Sequence, residues 1–262
     1  MESVEQNLRQ TFEWLAARRP EGEVRETAGL RIASAAASFQ MFNAAFLPPD
    51  SALSAPELER RIVSAEVHFG ARGLDWAFWV CSHLLDPKAG RRARRIFEAH
   101  RMTAASDLPA MVADGIRPPR HSLPTLEVRR VGDEQTRLAF CDVGCVCFHV
   151  PPTWFREIFL PESVWTGSAA AGYVGYLDGE PIATALTFFA GGVVGIYNVA
   201  TLPGRRRKGF AEFMMRMSLE RARESHGAAR SILQSTEQGL PLYTRMGYRT
   251  VGRVLVFASE AR

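Results

Sequence analysis

Residues 201–211 read Thr-Leu-Pro-Gly-Arg-Arg-Arg-Lys-Gly-Phe-Ala, a run of small and basic residues between a strongly apolar stretch and a helical pattern. A helix beginning near Lys208 leaves the N–H groups of its first turn without intrahelical acceptors, and its dipole favours an anion there. Gly209 and Ala211 occupy little room, so a diphosphate can approach the backbone, and Arg206, Arg207 and Lys208 add positive charge around it. The chemistry on offer is the binding of a phosphorylated ligand. A basic loop that only caps a helix, with glycine present for a turn, accounts for these residues about equally well. The chain has no G-x-x-x-x-G-K-[ST] run, which argues against a nucleotide hydrolase.

Two further clusters invite chemistry and are read more plainly. Cys141, Cys145, Cys147 and His149 are spaced C-x3-C-x-C-x-H, unlike the paired C-x2-C ligands of structural zinc, so reduced structural thiols and no metal site are expected. Lys88, Arg91, Arg92, Arg94 and Arg95 would suit an RNA or phosphate patch, but a solvated helix face with Ile96 and Phe97 turned inward is the preferred reading.

The elements that must position the loop are legible from local signals. A strand at 172–177 meets the turn Asp178-Gly179 and pairs with a strand at 182–189, and Gly191-Gly192 then leads into a third at 193–199. A helix is expected over 208–225 with Phe210, Phe213, Met214 and Met217 on its core side. Next come a strand at 231–234, a short helix ending near Met246-Gly247 and a strand at 250–257. A strand at 126–131, followed by helical or mixed material to about Phe159, opens this half. Upstream, Val4, Leu8, Phe12 and Leu15 mark an amphipathic helix stopped by Pro20. Strands are expected at 30–34 and 75–81, and helices at 56–67 and 90–100.

Composition narrows the class. With 262 residues and 47% apolar content the chain can bury one large or two modest cores. The 32 basic against 28 acidic residues fall short of a dedicated nucleic-acid binder. MESVEQNLRQ lacks the basic and apolar regions of a secretory signal. Residues 181–204 carry no charge, but the paired glycines inside suit two buried strands better than a membrane span. A cytoplasmic protein is expected. The turn-rich stretch 116–124 suggests a boundary between an N-terminal α/β domain, 1–122, and a C-terminal domain, 123–262.

Arg206, Gly209 and Ala211 match the pattern Q/R-x-x-G-x-G/A, and Leu242, Tyr243, Gly247 and Tyr248 match L-Y-x-x-x-G-F with tyrosine for the final phenylalanine. With a helix, a strand and a second helix between them, these motifs resemble the GNAT superfamily of acyl-CoA-dependent N-acyltransferases, over about 126–257. The resemblance implies a mixed α/β fold with a mainly antiparallel central sheet flanked by helices. It implies that Val199, Ala200 and Thr201 hold the pantetheine arm and acetyl carbonyl. The N–H groups of Arg206, Arg207, Lys208, Gly209, Phe210 and Ala211 would then bind the pyrophosphate, with Tyr243 as catalytic acid at the departing sulfur. Thr236 stands where many relatives have a cofactor-binding asparagine; Gln234, Ser235 and Gln238 are polar alternatives. No carboxylate in 193–199 offers a general base, and Glu237 is the nearest in sequence.

The N-terminal half looks like a degenerate copy of the same fold, its 75–100 strand and helix paralleling 231–247, but lacking the R-x-x-G-x-G/A loop and so an acyl-CoA site. The expected function is acetyl transfer from acetyl-CoA, as co-substrate, to a primary amine in a ternary complex. The alternative is a catalytically silent acyl-CoA-binding sensor or structural module. Expected partners are a small-molecule amine or a protein amino group and, in assembly, a homodimer, with neither nucleic acid nor membrane.

Overall fold

The computed structural model describes residues 1–49 and 51–260. In order the chain forms α1 (Glu2–Ala16), β1 (Glu23–Thr27), β2 (Leu30–Ser34), β3 (Asn43–Phe46), α2 (Ala55–Gly70), β4 (Ala77–Cys81), α3 (Pro87–Ala99) and β5 (Met102–Ala113). It continues through β6 (Glu127–Arg130), α4 (Glu134–Phe148), α5 (Pro152–Phe159), β7 (Ala170–Leu177), β8 (Glu180–Ala190), β9 (Val193–Thr201), α6 (Phe210–His226), β10 (Ser231–Gln234), α7 (Leu240–Met246) and β11 (Arg249–Ser259). The class is mixed α/β with mostly antiparallel pairing; β3 with β4 and β9 with β10 are the parallel pairs among the described registers.

The chain divides into two compact units, Met1–Ala110 with Thr250–Arg262, and Met111–Arg249. The stretch 116–124, where the sequence suggests a boundary at 122/123, therefore lies inside the second unit, and the last strand belongs to the first. Turn-forming composition marks irregular chain, whereas unit membership follows from which strands pair. Positions 261 and 262, the end of the expected C-terminal domain, lie outside the described residues.

In the first unit, Val4, Leu8, Phe12 and Leu15 all turn inward from α1. β1, β2 and β3 form an antiparallel run, β4 joins β3 in parallel across α2, and β11 pairs antiparallel with β4. In this core Phe78 meets Phe97 edge-on, and Phe97 stacks on Phe257 with ring centroids 3.9 Å apart. A capping box closes the N-terminus of α2, where Glu57 accepts from the Ser54 N–H at 2.9 Å and its hydroxyl at 2.6 Å. On α3, Ala89, Ala93, Ile96 and Phe97 are buried while the lysine and arginines face solvent, as on a solvated helix face. β1, β3 and β5 escape the sequence patterns: β1 is largely exposed, β3 is uniformly buried, and β5 carries an exposed half and Pro109.

In the second unit β6 to β9 form an antiparallel meander. Both tight turns expected from sequence are present, with positive φ at Asp178 (53°) and Gly179 (84°) and at Gly191 (61°) and Gly192 (72°). Positive φ at both central positions matches the right-handed twist of the flanking strands. α6 covers one face. Its Phe210 and Met214 pack with Leu126, Tyr173, Ala183 and Ala185, and its Met215 and Ala222 with Val194, Ile196 and Leu233. Gly175 makes room for this helix, since a Cβ there would stand 2.8 Å from the Met214 sulfur. α4 lies against β8 and β9 and packs closely on α5, where a Cβ on Gly144 would meet the Phe155 ring at 2.3 Å. Cys141 and Cys145 are buried on α4, and Cys81, Cys141, Cys145 and Cys147 are all free thiols. No group of three or more His, Cys, Asp or Glu side chains suited to a metal, and no helix long and apolar enough to cross a membrane, occurs among the described residues.

Candidate functional site

The site begins where two parallel strands part. β10 pairs with β9 at Ser231/Val194 and Ile232/Gly195, and the pairing ends there, although β9 stays paired with β8 as far as Thr201/Ala183. The register of β8 and β9 shifts between Thr184 and Leu186, opposite Asn198, whose φ is +48°. A bulge of this kind turns the strand and interrupts its ladder. The Thr184 hydroxyl donates to the Asn198 carbonyl at 2.8 Å and fixes it. Val199, Ala200 and Thr201 follow on the free-running end of β9. Asparagine is the residue type that best tolerates positive φ outside glycine, but only the pairing reveals where the bulge falls.

The loop after β9 is built to leave backbone donors open. A 3-10 turn at Pro203–Arg205 ends in extended Arg206, Arg207 has φ +63°, and Gly209, with φ +87°, is the N-cap of α6. The helix therefore starts two residues later than its expected 208–225 span, because Gly209 cannot be helical in that conformation. Its N-terminus has no side-chain cap, and the N–H groups of Arg207, Lys208, Gly209, Phe210, Ala211 and Glu212 find no backbone acceptor among the described residues. That is the arrangement an anion completes.

The side chains around the loop divide their tasks. Arg207 and Lys208 are exposed and free to face an anion. Arg206 folds back, its Nε donating to the Thr201 carbonyl at 3.0 Å, so it braces the end of β9. Phe210 is buried in the core and its backbone alone faces the loop. Gly209 has a second reason to lack a side chain, since a Cβ would stand 2.9 Å from Cδ of Pro124. Sequence reasoning missed Cys147, whose thiol, carried by α4, meets the Arg206 guanidinium and the Thr201 backbone; burial pushes the thiol up and Arg206 opposes that. It also missed Glu212, buried in the first turn of α6 and bonded to Arg216 at 2.7 and 3.0 Å. Glu at the third helical position and Arg four residues on was a readable signal.

Tyr243 lies on α7. Its ring covers Gly239, where a Cβ would come within 2.6 Å of Cε2, and Tyr248 meets it edge-on at 6.1 Å. Its hydroxyl has no hydrogen-bond partner among the described residues, and burial pushes the phenol up to about 12. At neutral pH it is a proton donor with its proton in place. Tyr243 and Val199 pack against the same core cluster, which brings the C-terminal part of β9 and α7 to one locality. The Thr236 hydroxyl accepts from the Gly239 N–H at 3.2 Å and so starts α7. Glu237 is exposed.

β9 and β10 part beside the uncapped start of α6, and Tyr243 packs on the same cluster as Val199. Residues 141–248 match the family model of the acetyltransferase (GNAT) family. This stretch is a GNAT acetyltransferase domain. It contains the bulged strand, the loop and Tyr243. Among solved structures, a GCN5-related N-acetyltransferase from Kribbella flavida is similar at 17% identity and TM-score 0.73, covering 97% of this chain and 95% of that one. A functionally unknown conserved protein from Staphylococcus epidermidis ATCC 12228 is similar at 12% identity and TM-score 0.65, with 92% and 94% covered. A GCN5-related N-acetyltransferase from Sphaerobacter thermophilus follows at 17% identity and TM-score 0.56, with 92% and 78% covered. At these identities the likeness establishes the fold, here over nearly the whole chain. No curated protein matches the sequence. The GNAT domain belongs to an acyltransferase enzyme.

Proposed function

We propose that the GNAT domain transfers an acetyl group from acetyl-CoA to a primary amine, on a small molecule or on a protein, by direct attack in a ternary complex. The observation that carries this reading is the uncapped N-terminus of α6 at the end of a strand that has left its parallel neighbour. The N–H groups of Arg207 to Ala211 hold the diphosphate, with Arg207 and Lys208 as flanking charge. Arg206 acts one step away, by fixing the Thr201 carbonyl. The backbone of Val199, Ala200 and Thr201 aligns the pantetheine arm and polarises the acetyl carbonyl, while Thr236 keeps α7 and Tyr243 in place. Acetyl-CoA supplies an activated thioester. The neutral amine nitrogen bonds to the carbonyl carbon as the C–S bond breaks, its proton leaves to solvent, and Tyr243 gives its proton to the departing sulfur and takes one back from solvent.

The N-terminal half of the sequence repeats the element order of the C-terminal half, β3-α2-β4-α3-β5 against β9-α6-β10-α7-β11, with the same parallel pair across the first helix. It is a GNAT-like copy without a cofactor site of its own. The test of the main reading is a screen of amine acceptors with acetyl-CoA, read by free thiol release. Thiol release that depends on an added amine supports transfer. Tight CoA binding with no turnover on any amine would instead make the domain an acyl-CoA sensor.

A further inference from the structure

In the proposed reaction Tyr243 presents a proton to the departing sulfur, yet its hydroxyl has no hydrogen-bond partner among the described residues to aim it. Its helix is a weak support, since α7 spans only seven residues and a helix that short does not hold by itself in water. The ring is therefore aimed by what it leans on. One contact is Gly239; the other is Tyr248, whose ring meets it edge-on at 6.1 Å and whose N–H donates to the Tyr243 carbonyl at 3.0 Å. Tyr248 stands at the position where the second motif departs from its usual phenylalanine. The added hydroxyl is buried, on a residue 3% exposed, and shares a hydrogen bond of 2.7 Å with the hydroxyl of Ser231, 1% exposed. Ser231 opens β10 and is held in the sheet opposite Val194. An edge-on ring contact alone is a loose restraint, whereas a buried hydrogen bond, strengthened by its apolar surroundings, fixes the tilt of the Tyr248 ring.

We propose that Tyr248 is a positioning residue for the reaction: through its bond to Ser231 it ties the ring of Tyr243 to β10 and so sets where the Tyr243 proton is presented. The inference rests on the reading of Tyr243 as the proton donor to the CoA sulfur. It gives the hydroxyl of Tyr248 a task that phenylalanine at this position could not perform.

The test separates aim from stability. Tyr248→Phe keeps the packed ring, so CoA affinity should stay at the wild-type value while turnover, with an amine found in the acetyl-CoA screen, falls about tenfold. With no acceptor present, the NMR ring resonances of Tyr243, assigned by their loss in Tyr243→Phe, should shift and broaden in Tyr248→Phe. Ser231→Ala leaves the Tyr248 hydroxyl unpaired in the core and should lower the melting temperature by about 2–8 °C. Combining it with Tyr248→Phe removes both hydroxyls, so the melting temperature should return toward the wild-type value while turnover stays low, because nothing pins the ring. A pair that served only folding would recover turnover together with stability, and that result overturns the proposal. So does wild-type turnover in Tyr248→Phe, or an unaltered set of Tyr243 resonances. A further loss of turnover on adding Tyr248→Phe to Tyr243→Phe overturns it as well, since a residue that acts through the Tyr243 hydroxyl then has nothing left to position. Tyr243→Phe that turns over like the wild type removes the proton-donor reading and the positioning role with it; a slowed Tyr243→Phe beside a full-speed Tyr248→Phe removes the positioning role alone.

Discussion

At the scale of single residues the proposed chemistry rests on Tyr243, whose packed ring and unpartnered hydroxyl suit a proton donor. In Tyr243→Phe the ring still covers Gly239, so CoA affinity and fold should persist while turnover slows by about 10²-fold. Parallel measurement of turnover and CoA affinity checks this; an equal fall in both would make the hydroxyl a binding contact. The same burial has a pH signature. A phenol held near 12 in the folded protein, above its ordinary value of 10.0, favours the native state fully below pH 10.0, and the contribution disappears as pH rises through the folded value. Tyr248, buried and bonded to Ser231 at 2.7 Å, is shifted the same way. The melting temperature should therefore drop on going from pH 9 to about pH 11, and drop less in Tyr243→Phe; identical alkaline profiles would contradict the assignment.

At the scale of elements, the β9-loop-α6 unit makes opposite demands at neighbouring positions. Gly209 is fixed by its φ of +87° and by the approach of Pro124, so Gly209→Ala should destabilise the ligand-free protein by about 1–2 kcal/mol, seen in denaturant unfolding. A glutamate at Gly209 would mix that strain with its effect on a diphosphate. Ala211→Glu separates the two. A carboxylate in the first turn of a helix is favourable to the fold, by about 0.3–1 kcal/mol, yet it stands at the position proposed for the diphosphate. Stability should hold or rise while CoA binding measured by calorimetry is lost. Retained CoA affinity in this variant would reduce the loop to a helix start.

Across the whole molecule the two units share a strand-helix-strand order with a parallel pair but differ at the strand end and the helix start. In the first unit β3 stays paired with β4 to its last residue, Phe46 opposite Trp79, and Ser54 with Glu57 closes the N-terminus of α2. In the second, β9 outruns its pairing with β10 and α6 starts uncapped. Strand ends and helix start are occupied by protein groups in one unit and open in the other. Calorimetry should therefore find one CoA per chain, and CoA at about 100 times its Kd should stabilise the fold by about 2.7 kcal/mol, raising the melting temperature. A stoichiometry of two would mean that the capped helix also binds.

What the sequence determined by itself was local. The paired turns at 178–179 and 191–192, the strand Ser231–Gln234, the core side of α6 and the glycine-bearing loop all follow from period, positive-φ residues and small residues within a few positions of each other. The motifs around Arg206 and Tyr243 belong to that same local record, and they lie within the stretch that matches the GNAT family model. Tertiary structure decided the rest. That β9 parts from β10 at Gly195, that Cys147 and Arg206 meet at Thr201, that Pro124 lies against Gly209, and that β11 completes the first unit depend on contacts between residues distant in sequence. Arg206 shows the difference most clearly. Its charge and spacing suggest a phosphate ligand, but the carbonyl that takes its Nε–H is presented by a strand end whose position only the folded sheet fixes.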